Sequence, residues 1–274
     1  MTTYDPETWL ETSIFQELVD SQATVLVLHA HPDDEVYATG AAIEYLAEEG
    51  CRVVLRVASK GEAGEPHADT IAIARMLRTR KFNRSCQVLG LADWGYIEAG
   101  RWLDTGGDPS PGSLTRATVD ELAAAIVPHV EAVAPQAVLT VGSDGLTGHP
   151  DHILMHRAVL QAVGRTAPVY GASVRAADVA EGRRRLAKAL PRVRIGPGWM
   201  RGSDRKDLIT FRAPVCDTGM RKRSAMNVYL PMGGGDRLED LAPFSPKPGN
   251  SLLLRGVLDV TGFGVERYEP PPNI

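Results

Sequence analysis

Two short runs gather most of the side chains that could do chemistry. His29-Ala-His-Pro-Asp-Asp-Glu35 carries two imidazoles and three carboxylates, and Ser143-Asp-Gly-Leu-Thr-Gly-His-Pro-Asp-His152 carries two of each. Imidazole with carboxylate is the ligand set that suits zinc where cysteine is absent. Three protein ligands with a fourth position open acidify a water toward neutrality, and two histidines plus one carboxylate fill those three places. A further carboxylate could then take the water's proton, and a further histidine could stabilise an oxyanion or protonate a leaving amine. The adjacent Asp33 and Asp34 cannot point the same way along an extended backbone, so one can ligate while the other stays free. Pro150 suits the first turn of a helix, which sets His149 and His152 three residues apart across a helix start, facing one space. Asp151 could accept an N–H from His149 or from a ligand histidine and so fix its tautomer. One Asp-Asp pair after a strand is as well explained by helix capping. Two such clusters in a chain with seven histidines favour a metal site. His29 reads as a structural strand histidine, and His67, His129 and His156 as surface or packing residues.

Both clusters follow strands. Ala23 to Ala30 is a near-continuous apolar run, the mark of a buried parallel strand. A helix over Tyr37 to Glu49, closed by Gly50, and a strand over Arg52 to Val57 complete a βαβ unit. Ser59 to Pro66 reads as a loop, Asp69 to Arg84 as a helix leading to a short strand ending near Leu89, and Trp94 to Pro111 as a long loop. A helix over Thr118 to Val133, with Pro128 as a kink or stop, precedes the buried strand Ala137 to Val141 and the helix Pro150 to Val163. Beyond Pro168 the pattern weakens. Strands are expected at Val169 to Val174, Asp207 to Arg212 and Ser251 to Leu258, and helices at Ala176 to Ala189 and Met220 to Tyr229. The tail from Glu269 to Ile274 is expected to be irregular. The fold class expected is α/β: a Rossmann-like, mostly parallel sheet with helices on both faces and the metal site at the C-terminal ends of the strands. Residues 1–274 read as a single domain, with a core of about 23–165 and a substrate-shaping part of about 166–274.

Composition excludes more than it identifies. The 274 residues are 43% hydrophobic and 23% charged with a formal charge of −4, so neither nucleic acid nor an anionic membrane is expected as a partner. Three scattered cysteines, Cys51, Cys86 and Cys216, form no CxxC pair and point to a reduced, cytoplasmic setting. No signal peptide or membrane-length apolar run is read. Dinucleotide binding is excluded because the turn after the first strand lacks G-x-G-x-x-G.

Ala30-His-Pro-Asp-Asp-Glu35 and Gly148-His-Pro-Asp-His152 resemble the two signatures of the LmbE-like, or PIG-L, deacetylase superfamily. Arg56 to Gly64 resembles its loop after the second strand, and Leu89 to Asp93 its next strand end; the likeness covers roughly residues 23 to 160. The resemblance implies a zinc-dependent hydrolase that removes an N-acetyl or similar N-acyl group from a small amino-sugar glycoside. It implies one Zn2+ per chain, with Fe2+ or another divalent ion as the alternative. His31, Asp34 and His152 would be the metal ligands, Asp33 the general base, and His149 the residue stabilising the tetrahedral intermediate with Asp151 behind it. Arg56, Glu62 and Tyr229 are candidate substrate contacts. A C-terminal helix reading Lys-x-x-Ala-x-x-x-His in the family is matched here by Lys222 to Met232, with Tyr229 in place of the histidine, and a Glu usual near Arg78 to Phe82 is missing. These departures leave the metal chemistry intact and argue against a plain assignment to the mycothiol precursor. An amidase of a non-sugar natural product and a non-catalytic sugar-binding relative are the competing readings. The partner expected is a small molecule, with room for a homo-oligomer.

Overall fold

In the computed structural model, which describes residues 7–192, 200–213, 219–230, 237–239 and 250–272, the first apolar run becomes β1 (Thr24–His29). Val25 and Val27 face one core and Leu26 and Leu28 the other, which is why the run is continuous instead of alternating. β2 (Arg52–Val57), β3 (Asp93–Tyr96), β4 (Ala137–Val141), β5 (Val169–Ser173), β6 (Ile209–Arg212) and β7 (Val265–Glu269) complete a seven-stranded sheet of order β3-β2-β1-β4-β5-β7-β6. The first five in that order run parallel; β7 is antiparallel to β5, and β6 to β7. One core face is covered by α3 (Gly40–Glu48), α4 (Ile71–Leu89) and α9 (Met220–Tyr229), the other by α5 (Val119–Val133) and α7 (Pro150–Val163). The Rossmann-like α/β reading therefore holds. The strand order departs in opposite directions from β1 and β4, and a crevice opens at their carboxyl ends.

Several expected elements differ. The single helix over Tyr37 to Glu49 is two pieces, α2 (Asp34–Tyr37) and α3, because the chain turns at Ala38 and Thr39 to set the Thr39 hydroxyl 2.9 Å from His29 Nε2. The strand expected to end near Leu89 is the last turn of α4, whose buried Ala74, Arg78, Phe82, Ser85 and Leu89 follow helical spacing. Gly90, at φ 83°, ends that helix, and β3 takes up the start of the expected Trp94 to Pro111 loop. Pro128 sits inside α5 without stopping it.

Ser251 to Leu258 is not a strand but part of α10 (Asn250–Thr261). It packs on α8 (Ala176–Ala189) so closely that a methyl on Gly182 would come within 2.8 Å of Val257. Glu269, expected in the irregular tail, is the last residue of β7. A helix α1 (Glu7–Asp20), not anticipated, precedes β1, and α6 (Gly145–Gly148) precedes α7. Cys51 and Cys86 are free and buried, while Cys216 lies outside the described residues.

The C-terminal hairpin is bound to the core through charge. Lys222 on α9 is fully buried, with Nζ 2.6 Å from Glu266 Oε1. Glu266 also accepts the N–H groups of Ala41 and Ala42, two otherwise orphaned donors in the first turn of α3, and the Tyr268 hydroxyl. Lys222→Met removes one partner of a buried pair and should lower unfolding free energy by about 3–5 kcal/mol. Denaturant titration measures it, and a loss below about 1 kcal/mol would show that the pair is not a significant stabilising contact.

Candidate metal centre

The loop after β1 carries His31, Asp33 and Asp34, and the loop after β4 ends at the start of α7 with His149, Asp151 and His152. Pro150 and Asp151 open α7, and His149 is its N-cap, so the helix start aims both histidines back over the strand ends. His31, Asp34 and His152 converge. His31 Nδ1 lies 3.2 Å from His152 Nε2, His152 Nε2 lies 3.1 Å from Asp34 Oδ1, and His31 Nδ1 lies 3.8 Å from Asp34 Oδ2.

The proton positions follow from what lies behind each ring. His31 Nε2 is 3.0 Å from Asp151 Oδ2, an acceptor only, and His152 Nδ1 is 3.0 Å from the Gly145 carbonyl. Both outer nitrogens must donate, so in the neutral rings both inner nitrogens present lone pairs to each other and to a carboxylate. A shared cation relieves that repulsion. Ligand bonds of 2.0–2.2 Å in a tetrahedron put neighbouring donors about 3.3–3.6 Å apart, and the three separations bracket that range. The field agrees. Burial pushes His31 down, yet Asp104, Asp151 and Asp34 raise it to about 10. Burial likewise opposes ionisation of Asp34, but His152 and His31 hold its carboxyl well below the usual carboxylate range. The cluster is built for positive charge and could hold a metal ion.

Asp33 and Asp34 diverge as expected of adjacent carboxylates. Asp33 has φ 114°, an uncommon left-handed backbone for a residue other than glycine. Its side chain keeps 26% exposure against 6% for Asp34, which separates a carboxylate open to the crevice from one shut into the cluster. Burial and then, against it, Arg78 act on Asp33, and with Asp34 adjacent its carboxyl is raised from the ordinary range. The His149 ring is 5.1 Å from that of His31 and 4.9 Å from that of His152. Its Nδ1 accepts the Asp151 N–H at 3.3 Å, so Nε2 carries the proton. Burial, with His31 and His152 nearby, pushes it down to about 4, so it is a neutral donor at neutral pH.

Asp151 is fully buried, and its carboxylate serves His31, with the Thr115 hydroxyl donating to Oδ1 at 2.6 Å. Its contact with His149 runs through the backbone N–H alone. Asp151→Asn should weaken metal affinity about 10–100-fold by loosening the His31 tautomer; competition with a chromogenic chelator measures this, and unchanged affinity would mean that His31 does not depend on that carboxylate.

The candidate substrate contacts separate. Arg56 pairs with Asp93 at 2.8 Å on the β2–β3 side of the sheet, not with the cluster. Glu62 is buried, bound by Arg75 Nε at 2.6 Å and by the Asp104 N–H at 3.0 Å, and so fastens the long loop. Tyr229 lies under Arg78, with its hydroxyl on Glu35. His29 is buried on β1, and His129 and His156 each bond a backbone carbonyl. Three site residues were not read from the sequence: Asp104, with Oδ1 3.7 Å from His31 Nε2, Thr115, and Arg78, whose Nη2 meets the Asp33 carboxylate. The Gly/Asp-rich loop was the only pointer to Asp104.

A family model described as PIG-L, GlcNAc-PI de-N-acetylase, matches residues 26–163, the stretch holding the whole cluster. Curated proteins named 1D-myo-inositol 2-acetamido-2-deoxy-alpha-D-glucopyranoside deacetylase are similar. That of Kineococcus radiotolerans is 38% identical over 168 residues, 54% of this chain and 46% of its own length. That of Acidothermus cellulolyticus is 36% identical over 184 residues, 61% of this chain and 63% of its own. The chain thus spans roughly half the length of the curated relatives it matches. Among solved structures, a deacetylase of teicoplanin biosynthesis superposes with TM-score 0.60 at 18% identity, covering 92% of this chain and 100% of that one. GalB, the 4-carboxy-2-hydroxymuconate hydratase from Pseudomonas putida, gives 0.55 at 18%, covering 92% and 98%. At these identities the likeness is one of fold, and a fold shared with a hydratase does not choose the reaction.

Proposed function

The chain belongs to the PIG-L, GlcNAc-PI de-N-acetylase, family, and on that premise we propose that it is a zinc-dependent N-deacylase of a small amino-sugar glycoside. The observation that carries the reading is the pairing of two inward-facing imidazole nitrogens with Asp34, beside a second carboxylate, Asp33, left open to the crevice. His31, Asp34 and His152 would hold the ion, one per chain. When bound, it supplies Lewis acidity to the amide carbonyl and makes a water more acidic.

The chain's own residues do the rest. Asp33 takes the proton from the attacking water and delivers it to the departing amine nitrogen. His149 donates from Nε2 to the oxygen that gains charge as the carbonyl carbon becomes tetrahedral. The loop of Asp104, fastened by Glu62, overhangs His31 and presents a carboxylate suited to sugar hydroxyls. The names of the curated relatives support an N-acetylglucosamine glycoside as the substrate class. Residues 1–274 are taken as one catalytic unit in which 166–274 shape the substrate side. A cytoplasmic location is part of the same reading, supported by the buried thiols of Cys51 and Cys86. Among the described residues no helix is long and apolar enough to cross a membrane.

An amine-release screen over N-acetyl amino-sugar glycosides, with simple non-sugar N-acyl amines as a second arm, tests the proposal. Release from the glycosides alone, lost on chelation and restored by zinc, is the expected result. Activity confined to the non-sugar arm would overturn the substrate class, and activity indifferent to chelation would overturn the chemistry.

A further inference from the structure

Arg78 is the cation that meets the base, and no step above uses it. Its side chain is 5% exposed on α4 and has its donors engaged inward. Nη2 bonds the Asp33 carboxylate, Nε donates to the Pro32 carbonyl at 3.1 Å, and Nη1 lies 3.6 Å from Glu65 Oε1. The guanidinium rests in a slot. A methyl on Gly64 would fall 2.5 Å from its central carbon, so only glycine leaves room there, and on the other side the Tyr229 ring centroid lies 4.6 Å away.

Tyr229 is held in turn. Its hydroxyl donates to Glu35 Oε1 at 2.5 Å, the same oxygen that accepts from Ser85, and Glu35 Oε2 accepts the Asp33 N–H at 2.8 Å. The contacts close a ring from the Asp33 carboxylate through Arg78, Tyr229 and Glu35 to the Asp33 backbone. A left-handed φ at a non-glycine residue persists where the surroundings over-determine it, and this ring grips Asp33 at both ends. With its donors turned inward, Arg78 cannot reach a ligand in the crevice without releasing Asp33.

We propose that Arg78, seated between Gly64 and the Tyr229 ring, is the positioning residue that aims the Asp33 carboxylate, and that Tyr229 and Glu35 hold its seat. The catalytic part of this rests on Asp33 being the base; the pairing itself does not.

The zinc-loaded wild type is compared with Arg78→Ala, Arg78→Lys and Tyr229→Phe after metal content is measured. Arg78→Ala should keep one metal per chain and lose about 10²-fold in kcat with KM held within about threefold, as expected when a reacting group is mis-aimed. Guanidinium at sub-denaturing concentration should restore about tenfold of that loss by refilling the slot, and urea should not. Tyr229→Phe keeps the ring and loses the tether, so kcat should fall about tenfold. A rise in KM at unchanged kcat would make Arg78 a substrate contact and overturn the proposal, as would loss of the metal. The pair has a readout without turnover. The Tm loss caused by Arg78→Lys should shrink when Asp33 is already Asn, and additive losses would overturn the pairing. Should the wild type release no amine from any substrate, the functional reading falls while this cycle still decides the pair.

Discussion

Alanine at His152 should yield a folded protein that no longer retains a divalent ion, with amine release below about 1% of wild type. His152 is 6% exposed, and both of its nitrogens are committed, Nδ1 to the Gly145 carbonyl and Nε2 toward His31 and Asp34. Removing the ring takes away one of three ligands and leaves two that cannot fix a tetrahedral ion against chelation. The fold should survive, because α7 keeps its Pro150 start and its buried Met155, Ala158 and Val159 face; the lost bond to Gly145 costs about 1–3 kcal/mol. Metal analysis, circular dichroism and amine release are read on one preparation. Zinc should raise the Tm of the wild type and leave that of His152→Ala unmoved, since only a protein that binds the ion in its native state is stabilised by it. Stoichiometric zinc in an active His152→Ala protein would move the metal out of this cluster.

What could be read in advance divides along a physical line. β1 and β4 are legible because strands buried on both faces need unbroken apolar runs, and the His/Asp loops follow them directly in sequence. The sheet's carboxyl edge then supplies the tertiary step, so His31 and His152, 121 positions apart, meet for reasons already present in the local pattern. The Ser251 to Leu258 run carried no such pattern. An apolar octapeptide of leucines and valine suits a strand or a buried helix equally, and contact with Gly182 on α8 settles it as a helix.

Arg78, Asp104 and Thr115 were invisible for another reason. Each acts through a contact across dozens of residues, and an arginine on an amphipathic helix has the same sequence appearance whether it is solvated or buried. Tyr229 illustrates how a substitution is misread from type alone. It stands where a family histidine would suggest a substrate contact, yet here the phenol points away from the crevice residues, onto Glu35 and beneath Arg78.

Asn at Asp33 should keep the full metal complement and lower kcat by about 10²–10⁴-fold. Asparagine is the informative replacement. The backbone there has φ 114°, which asparagine tolerates better than alanine, so the loop and its neighbour Asp34 stay in place. The Asp33 N–H still reaches Glu35, and the side-chain carbonyl still accepts from Arg78. What disappears is a carboxylate that can take a proton from water. The loss should therefore appear in kcat and kcat/KM together with KM little changed, the pattern of an interaction made in the transition state and not in substrate binding. His149 cannot stand in. Its Nδ1 is occupied by the Asp151 N–H and its Nε2 already holds a proton, so it donates where a base must accept. For the same reason His149→Ala combined with Asp33→Asn should cost more than either change alone, because one removes an oxyanion donor and the other a proton acceptor. Turnover that survives Asp33→Asn with metal in place would leave no other carboxylate beside the cluster both open to the crevice and free of His31, since Asp34 and Asp151 are shut in at 6% and 0% exposure. The base would then have to come from the substrate or from solvent, and the division of labour between Asp33 and Asp34 would be wrong.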